Sequence, residues 1–348
     1  MTDVVLGIDT FGDIPTDDDG RLLSHAAAIR QVLDEGVLAD EVGLDVIAVG
    51  EHHRADYSVS APDTVLAGIA TRTSRIRLAS GVTVLSSDDP VRVFQRFATL
   101  DALSNGRADV ILGRGSFTES FPLFGYDLAD YEVLFEEKLE LFSRLLTEAP
   151  VTWTGSTRAA LHEADVYPKT EHGLRTWVGV GGSPQSVVRT ATYGLPLMLA
   201  IIGGEPERFA PYIDLYHRAA AQLGTTAGPI GVHSPGFIAE TDEQAKELYY
   251  PGFKIQRDRI GADRGWPPVH RGQFEGEIAH GSLYVGSPQT VAHKIADTVG
   301  LLGVDRFDLI YTSGPQTTSA RKHAVELFGT QVAPLVRELL AQRQDTAG

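Results

Sequence analysis

Eight short apolar, β-rich runs recur along the chain with room for a helix between most of them. They read "VVLGID", "DVIAVG", "RIRLASGV", "RADVILG", "TWVGVGG", "LPLMLAII", "PIGVHSPGFIA" and "RFDLIYTS". They are apolar on both faces, as parallel strands covered by helices must be. Eight is the number of strands that closes a (β/α)8 barrel, so the expected fold class is α/β, a TIM barrel with insertions.

The segments between the runs have readable helix ends. In "SDDPVRVFQRFATLDALSNG", Asp89 can cap, Pro90 suits the first turn, and Val93, Phe97, Leu100 and Leu103 form a stripe that Asn105-Gly106 ends. In "DYEVLFEEKLELFSRLL" the stripe is Phe135, Leu139, Phe142 and Leu146. No linker or low-complexity stretch divides the chain, so a single domain over residues 1–348 is expected. Two intervals exceed one strand and one helix: 148–175, which reads as a β-hairpin insertion, and 253–284, rich in Gly and Pro with weak periodicity, which reads as an active-site lid. "SPQSV" at 183–187 returns as "SPQTV" at 287–291, because Ser followed by Pro is a good helix start.

Composition narrows the function. Thirty basic against 46 acidic side chains leave a net charge of -16 with no basic stripe, which disfavours a nucleic acid partner. No apolar run reaches the roughly 18 residues that span a bilayer, and the N-terminus lacks the pattern of a secretory signal, so the expectation is a cytoplasmic protein with no membrane partner. There is no cysteine, hence no thiolate nucleophile or sulfur ligand.

In a barrel of this kind the chemistry gathers on the loops after the strands. One exit, "GEHHRAD", carries Glu51, His52 and His53; successive side chains on a strand diverge, so one imidazole faces the barrel mouth as a proton donor or acceptor, or else the pair is structural. Adjacent histidines that diverge make a poor metal site, and a metal-dependent hydrolase would need further ligands, with only His233 in reach. In "GRGSFTES", Arg114 between two glycines can grip a phosphate or form a surface ion pair. In "WVGVGGSPQSVVRTATYG", Gly181 and Gly182 lead into a helix start with Ser183 and Ser186 and no acidic residue in its first turn, which suits an anion or is an ordinary cap. Together these groups fit a small phosphorylated ligand.

The chain resembles the bacterial luciferase-like family of flavin-dependent monooxygenases. The resemblance rests on "GLDVIAVGEHH", on "GVTVLSSDDPVRVFQRFATLDALSNGRADVILGRG", on "VGVGGSPQSVVRTATYGLPLML", and on "YVGSPQTVAHKI" with "LGVDRFDL", in that order over most of the chain. It implies a TIM barrel that binds FMN at the C-terminal face, a homodimer, and Arg114, Ser183 and Ser186 at the flavin phosphate beside Gly181 and Gly182. It also implies His52 near the reacting ring, and a bulge at Gly81 and Val82, often with a non-proline cis peptide, as the ring's support. The implied activity is oxidation of a small organic substrate by reduced FMN and dioxygen through a peroxyflavin. A separate flavin reductase would supply the FMN, since no second nucleotide motif is visible. Trp266, His270, Arg271 and Phe274 are the expected covers of the pocket. Light-emitting members carry an acidic residue at the position of Gly182 and a cysteine at that of Gly113, so luminescence from long-chain aldehydes is not expected. Two alternatives stand beside this: a deazaflavin-dependent oxidoreductase of the same superfamily, and a catalytically silent flavin-binding protein.

Overall fold

Each of the eight apolar runs forms a strand. The computed structural model describes residues 4–347, with side chains to residue 343. In chain order the strands are β1 Val5–Thr10, β2 Val46–Val49, β3 Arg77–Ser80, β4 Thr83–Val84, β5 Ala108–Gly113, β6 Val151–Trp153, β7 Leu161–Ala164, β8 Arg175–Val180, β9 Leu197–Ala200, β10 Ile230–Ile238, β11 Tyr284–Gly286 and β12 Arg306–Ile310. The barrel runs β1-β2-β3-β5-β8-β9-β10-β12 and closes where β12 pairs with β1, every pair being parallel. Two short strands extend it: β4 alongside the end of β5, and β11 alongside the end of β10. Among the described residues no helix is long and apolar enough to cross a membrane.

The helix Pro90–Ser104 shows how local sequence sets the wall. Asp89 accepts the Val91 and Arg92 N–H groups at 3.0 and 3.2 Å, and Asn105 ends the helix in the left-handed conformation, φ 56°. Val93, Phe97 and Leu100 are buried, but Leu103 is 54% exposed. Ten residues beyond Val93, it lies roughly 80° off the buried stripe at 3.6 residues per turn, and Ser104 takes the inward position. Phe135, Leu139 and Phe142 are buried as the second stripe requires.

Charge fills the lower barrel. Arg306, almost fully buried, pairs with Asp308 at 2.6 Å and Asp109 at 3.3 Å and lies over the Trp177 ring at 5.2 Å. Higher up, His233 Nδ1 meets Asp9 at 2.8 Å. The buried Arg306 charge is acceptable because carboxylates pair with it.

The two long intervals differ. Residues 148–175 contain the antiparallel hairpin of β6 and β7. Residues 253–284, read from their glycines and prolines as a loop, are mostly helical: Asp242–Arg264 runs into the interval, and Arg271–Ala279 follows. The first of these buries only Ala245, Tyr249, Gly252, Phe253 and Gly261 and turns polar side chains outward, so its apolar period is sparse. "GWPP" is confined to the turn between the two helices.

Candidate active site

The exit of β2 splits its three polar side chains between two cavities. Gly50 makes the turn possible, since a Cβ there would stand 2.5 Å from the Gly81 carbonyl oxygen. Glu51 turns to one side, where Oε1 accepts the Val84 N–H at 2.6 Å and Oε2 lies 3.8 Å from His53 Nε2. Burial pushes the Glu51 carboxyl up to about 7, against the opposing hydrogen bond from Val84. Both residues line a cleft of about 180 Å³.

His52 turns the other way, into a cavity of about 360 Å³ at the barrel mouth. Its ring is enclosed by Phe11, Tyr57 and Phe117, with centroids at 4.9, 4.6 and 4.5 Å. Burial, reinforced by the Arg54 charge, lowers its pKa to about 3. The imidazole is therefore neutral at physiological pH, able to accept one proton and donate another in a hydrogen bond. Glu119 Oε1 stands 4.0 Å from its Nδ1.

Beside this exit the Gly81–Val82 peptide is cis. A Cβ on Gly81 would come within 2.9 Å of Asp9 Oδ1, and one on Gly113 within 2.5 Å of Val82 Cγ2. Glycine at 113 is thus what seats Val82 on the end of β5, where a cysteine would collide with it. Asp9 Oδ1 below is buried without a hydrogen-bond partner.

Across the mouth, β8 is followed by Gly181, which lines the same cavity as His52. Gly182 has φ +104°, a conformation that an L side chain rarely adopts. The helix Pro184–Thr192 begins here, with Ser183 accepting the Ser186 N–H at 3.3 Å and no acid in the first turn. Its remaining first-turn N–H groups and positive dipole end are suited to a phosphate, and an added Cβ at Gly181 would meet nothing within 4 Å, so a ligand has room to approach. Of the expected cofactor residues only Gly181 lines this cavity; Gly81, Val82, Gly182, Ser183 and Ser186 lie outside its lining, and so does Arg114. It pairs with Glu132 at 2.5 Å and lies over the Tyr131 ring; Glu132 also lies 3.5 Å from Arg189.

Of the four expected covers only Trp266 lines the main cavity. His270 caps the helix Arg271–Ala279, Arg271 pairs with Glu247 and Glu275, and Phe274 is fully buried beside Tyr249 and Phe253. The cavity instead draws Phe253, Gln256, Arg257, Ile260 and Arg264 from the preceding helix. Sequence reading also missed the aromatic cage, although Phe117 lies within "GRGSFTES" and Tyr57 directly follows "GEHHRAD". Among the described residues no group of three or more His, Cys, Asp or Glu side chains is placed to hold a metal ion.

Comparison with known proteins places this architecture. Residues 12–306 match the family model described as luciferase-like monooxygenase. A 4-hydroxyprotoasukamycin monooxygenase of Streptomyces nodosus subsp. asukaensis is 30% identical over 314 residues, 85% of this chain and 83% of that protein. The solved monooxygenase RslO1 from Streptomyces bottropensis superposes with TM-score 0.81 at 26% identity, covering 94% of this chain and 98% of its own. Two more distant structures share the fold. The oxygenating constituent of 3,6-diketocamphane monooxygenase from a Pseudomonas putida CAM plasmid, solved with FMN, has TM-score 0.77 at 20% identity, covering 96% and 99% of the two chains. The coenzyme F420-dependent tetrahydromethanopterin reductase of Methanopyrus kandleri has TM-score 0.70 at 19% identity with the same coverage. With a closed parallel barrel, a caged histidine at its mouth and a family match over most of its length, the chain belongs to the luciferase-like monooxygenase family.

Proposed function

We propose that the protein oxidises a small organic substrate with dioxygen and reduced FMN, the flavin arriving from a separate reductase and the chain working as a homodimer. The observation that carries this reading is a mouth that a caged neutral His52 shares with Gly181, the residue that leads into the helix start at Ser183. The phosphate would be held by that start, through Ser183, Ser186 and their N–H groups, with Arg114 after exchange from Glu132. Gly81 and Val82 would offer the ring an apolar seat. When bound, reduced flavin supplies the activation of dioxygen.

The chain's own task is to manage protons and water. His52, neutral among three aromatic rings, would donate or accept a proton near the reacting ring, and the Asp56 charge would partly offset the cost of its cation. Because its pKa is about 3, His52 adds no titration limb to activity between about pH 5 and 8. Phe117, Phe253, Ile260 and Trp266 exclude water from the cavity.

The test is a titration of the purified protein with oxidised FMN, dithionite-reduced FMN and F420, followed by air. Preferential binding of reduced FMN with an oxygen-dependent absorbance transient supports the reading. Preference for F420 with no oxygen response replaces it with hydride transfer, and stoichiometric NADPH oxidation by the protein alone removes the reductase. Replacing His52 with Ala is expected to cut turnover by about 10³-fold while leaving FMN affinity unchanged; unaltered turnover would take His52 out of the mechanism.

A further inference from the structure

The main cavity holds two arginines, Arg257 and Arg264, and no Asp or Glu. That is unexpected in a chain where acidic residues outnumber basic ones by 46 to 30. Arg259, two residues along the same helix, has found Asp56 at 3.0 Å. Arg264 donates to the Ser116 carbonyl at 3.1 Å and lies over Phe117. Arg257, by contrast, has no hydrogen bond or ion pair with any described residue; its one contact of note is with the Trp266 ring, 5.1 Å away. Glu277 is the acid that acts on it, from the small adjoining cleft, but lies beyond ion-pairing distance and accepts the Gly204 N–H instead.

A second group points to the same ligand. Tyr249 is fully buried, lines the cavity, and its hydroxyl has no hydrogen-bond partner. The neighbouring Ser313 hydroxyl acts on it without closing a direct hydrogen bond and itself donates to Gln256 at 2.6 Å. A buried hydroxyl without a partner and a partly buried guanidinium without an anion are each costly, and one bound oxyanion satisfies both. Much of the remaining wall, including Phe11, Ile202, Phe253 and Ile260, is apolar.

We propose that Arg257 is a specificity-determining residue and that the substrate is an organic acid, an apolar body carrying one carboxylate that Arg257 grips and Tyr249 caps. The proposal rests on the monooxygenase reading for its reaction but not for its binding. Arg257 and the helix start at Ser183 lie on different segments of the mouth, so the acid and the flavin phosphate have separate anchors.

The probes are 2-naphthoate and its uncharged methyl ester, titrated calorimetrically at fixed ionic strength into protein with and without FMN. The acid is expected to bind about tenfold tighter than the ester; Arg257→Met erases the preference, Arg257→Lys keeps part of it, and FMN affinity moves by less than about twofold. Equal binding of acid and ester overturns the proposal, as does failure of the acid to bind or a preference that survives Arg257→Met in a variant with unchanged melting temperature. If Arg257→Met weakens FMN and leaves the acid preference intact, the arginine serves the cofactor and the proposal falls. Loss of FMN binding in wild type with the acid preference intact removes the flavin reading and leaves this one standing.

Discussion

Two helix starts in this protein are almost the same sequence and do different things. "SPQSV" and "SPQTV" both place Ser at the cap and Pro in the first turn, and both serines accept the N–H three residues on, from Ser186 and from Thr290, at 3.3 Å. Neither first turn contains an acid. Yet the second start is already filled, because Asp242 arrives from another helix and takes the Ser287 N–H at 2.6 Å and the Thr290 hydroxyl at 3.0 Å. The first follows Gly181 at the barrel mouth, and among the described residues no carboxylate accepts from its N–H or hydroxyl groups. Local sequence makes the cap; what stands opposite decides whether the cap can bind a ligand.

The contrast can be broken from either side. The largest effect is expected from Ser186→Asp, which brings to the open start the charge that Asp242 brings to the closed one. FMN affinity should fall about 100-fold, measured by fluorescence titration, because an attractive contact becomes repulsive. An unchanged affinity would place the phosphate elsewhere. Next comes Asp242→Ala, which removes two charge-assisted hydrogen bonds and should cost about 2 kcal/mol in urea unfolding. FMN affinity and its stoichiometry should not change; a second FMN equivalent bound by this variant would show that the two starts differ only in being filled.

Smaller again is the pair Ser183→Ala and Ser287→Ala. Each loses a cap worth about 1 kcal/mol, but only the first should weaken FMN. Equal effects on FMN from both would erase the distinction. The smallest is a pH effect. Burial raises the Asp242 carboxyl, but hydrogen bonds from the Ser287 N–H, the Thr290 hydroxyl and the Ser287 hydroxyl outweigh it and hold the group below the usual carboxylate range. A depressed folded pKa contributes stability that is present above the unfolded value of about 4 and lost as pH falls through the folded one. Between neutral pH and that point the Asp242→Ala penalty should stay constant, and it should shrink only in the acid limb of a pH–stability series.

His52 shifts stability with pH in the same direction, over a different window. Its folded pKa is lowered to about 3, so below its unfolded value of about 6.5 the unfolded chain takes up a proton that the folded one refuses. Stability from this residue is complete above that value and is lost as pH falls. His52→Phe should therefore flatten the stability curve of the protein between about pH 6.5 and 4.

Much of the architecture is carried by short-range pattern. The eight runs, the Asp89 cap with its Asn105 stop, and the two serine caps depend on side chains within a few residues of one another, where periodicity and capping chemistry act. For the same reason the exits that bear His52 and Gly181 were identifiable before any coordinates, since strand ends fix which loops share a face. Leu103 and the interval 253–284 mark the limit of such pattern: a stripe read one turn too far, and a helix whose outward polar face hides its period.

The character of the site was decided elsewhere. His52 is neutral because Phe11 and Phe117, distant in sequence, close around it; Val82 has a seat because Gly113 comes from another strand; the Ser287 start is shut by Asp242. Arg257 stands without an ion pair because the carboxylate nearest to act on it, Glu277, lies in the adjoining cleft and accepts the Gly204 N–H instead. Sequence fixes which groups a strand exit or helix start presents, since those are local properties of the backbone. Burial, charge and pairing depend on what the barrel brings opposite each group, and only the closed tertiary structure supplies that neighbour.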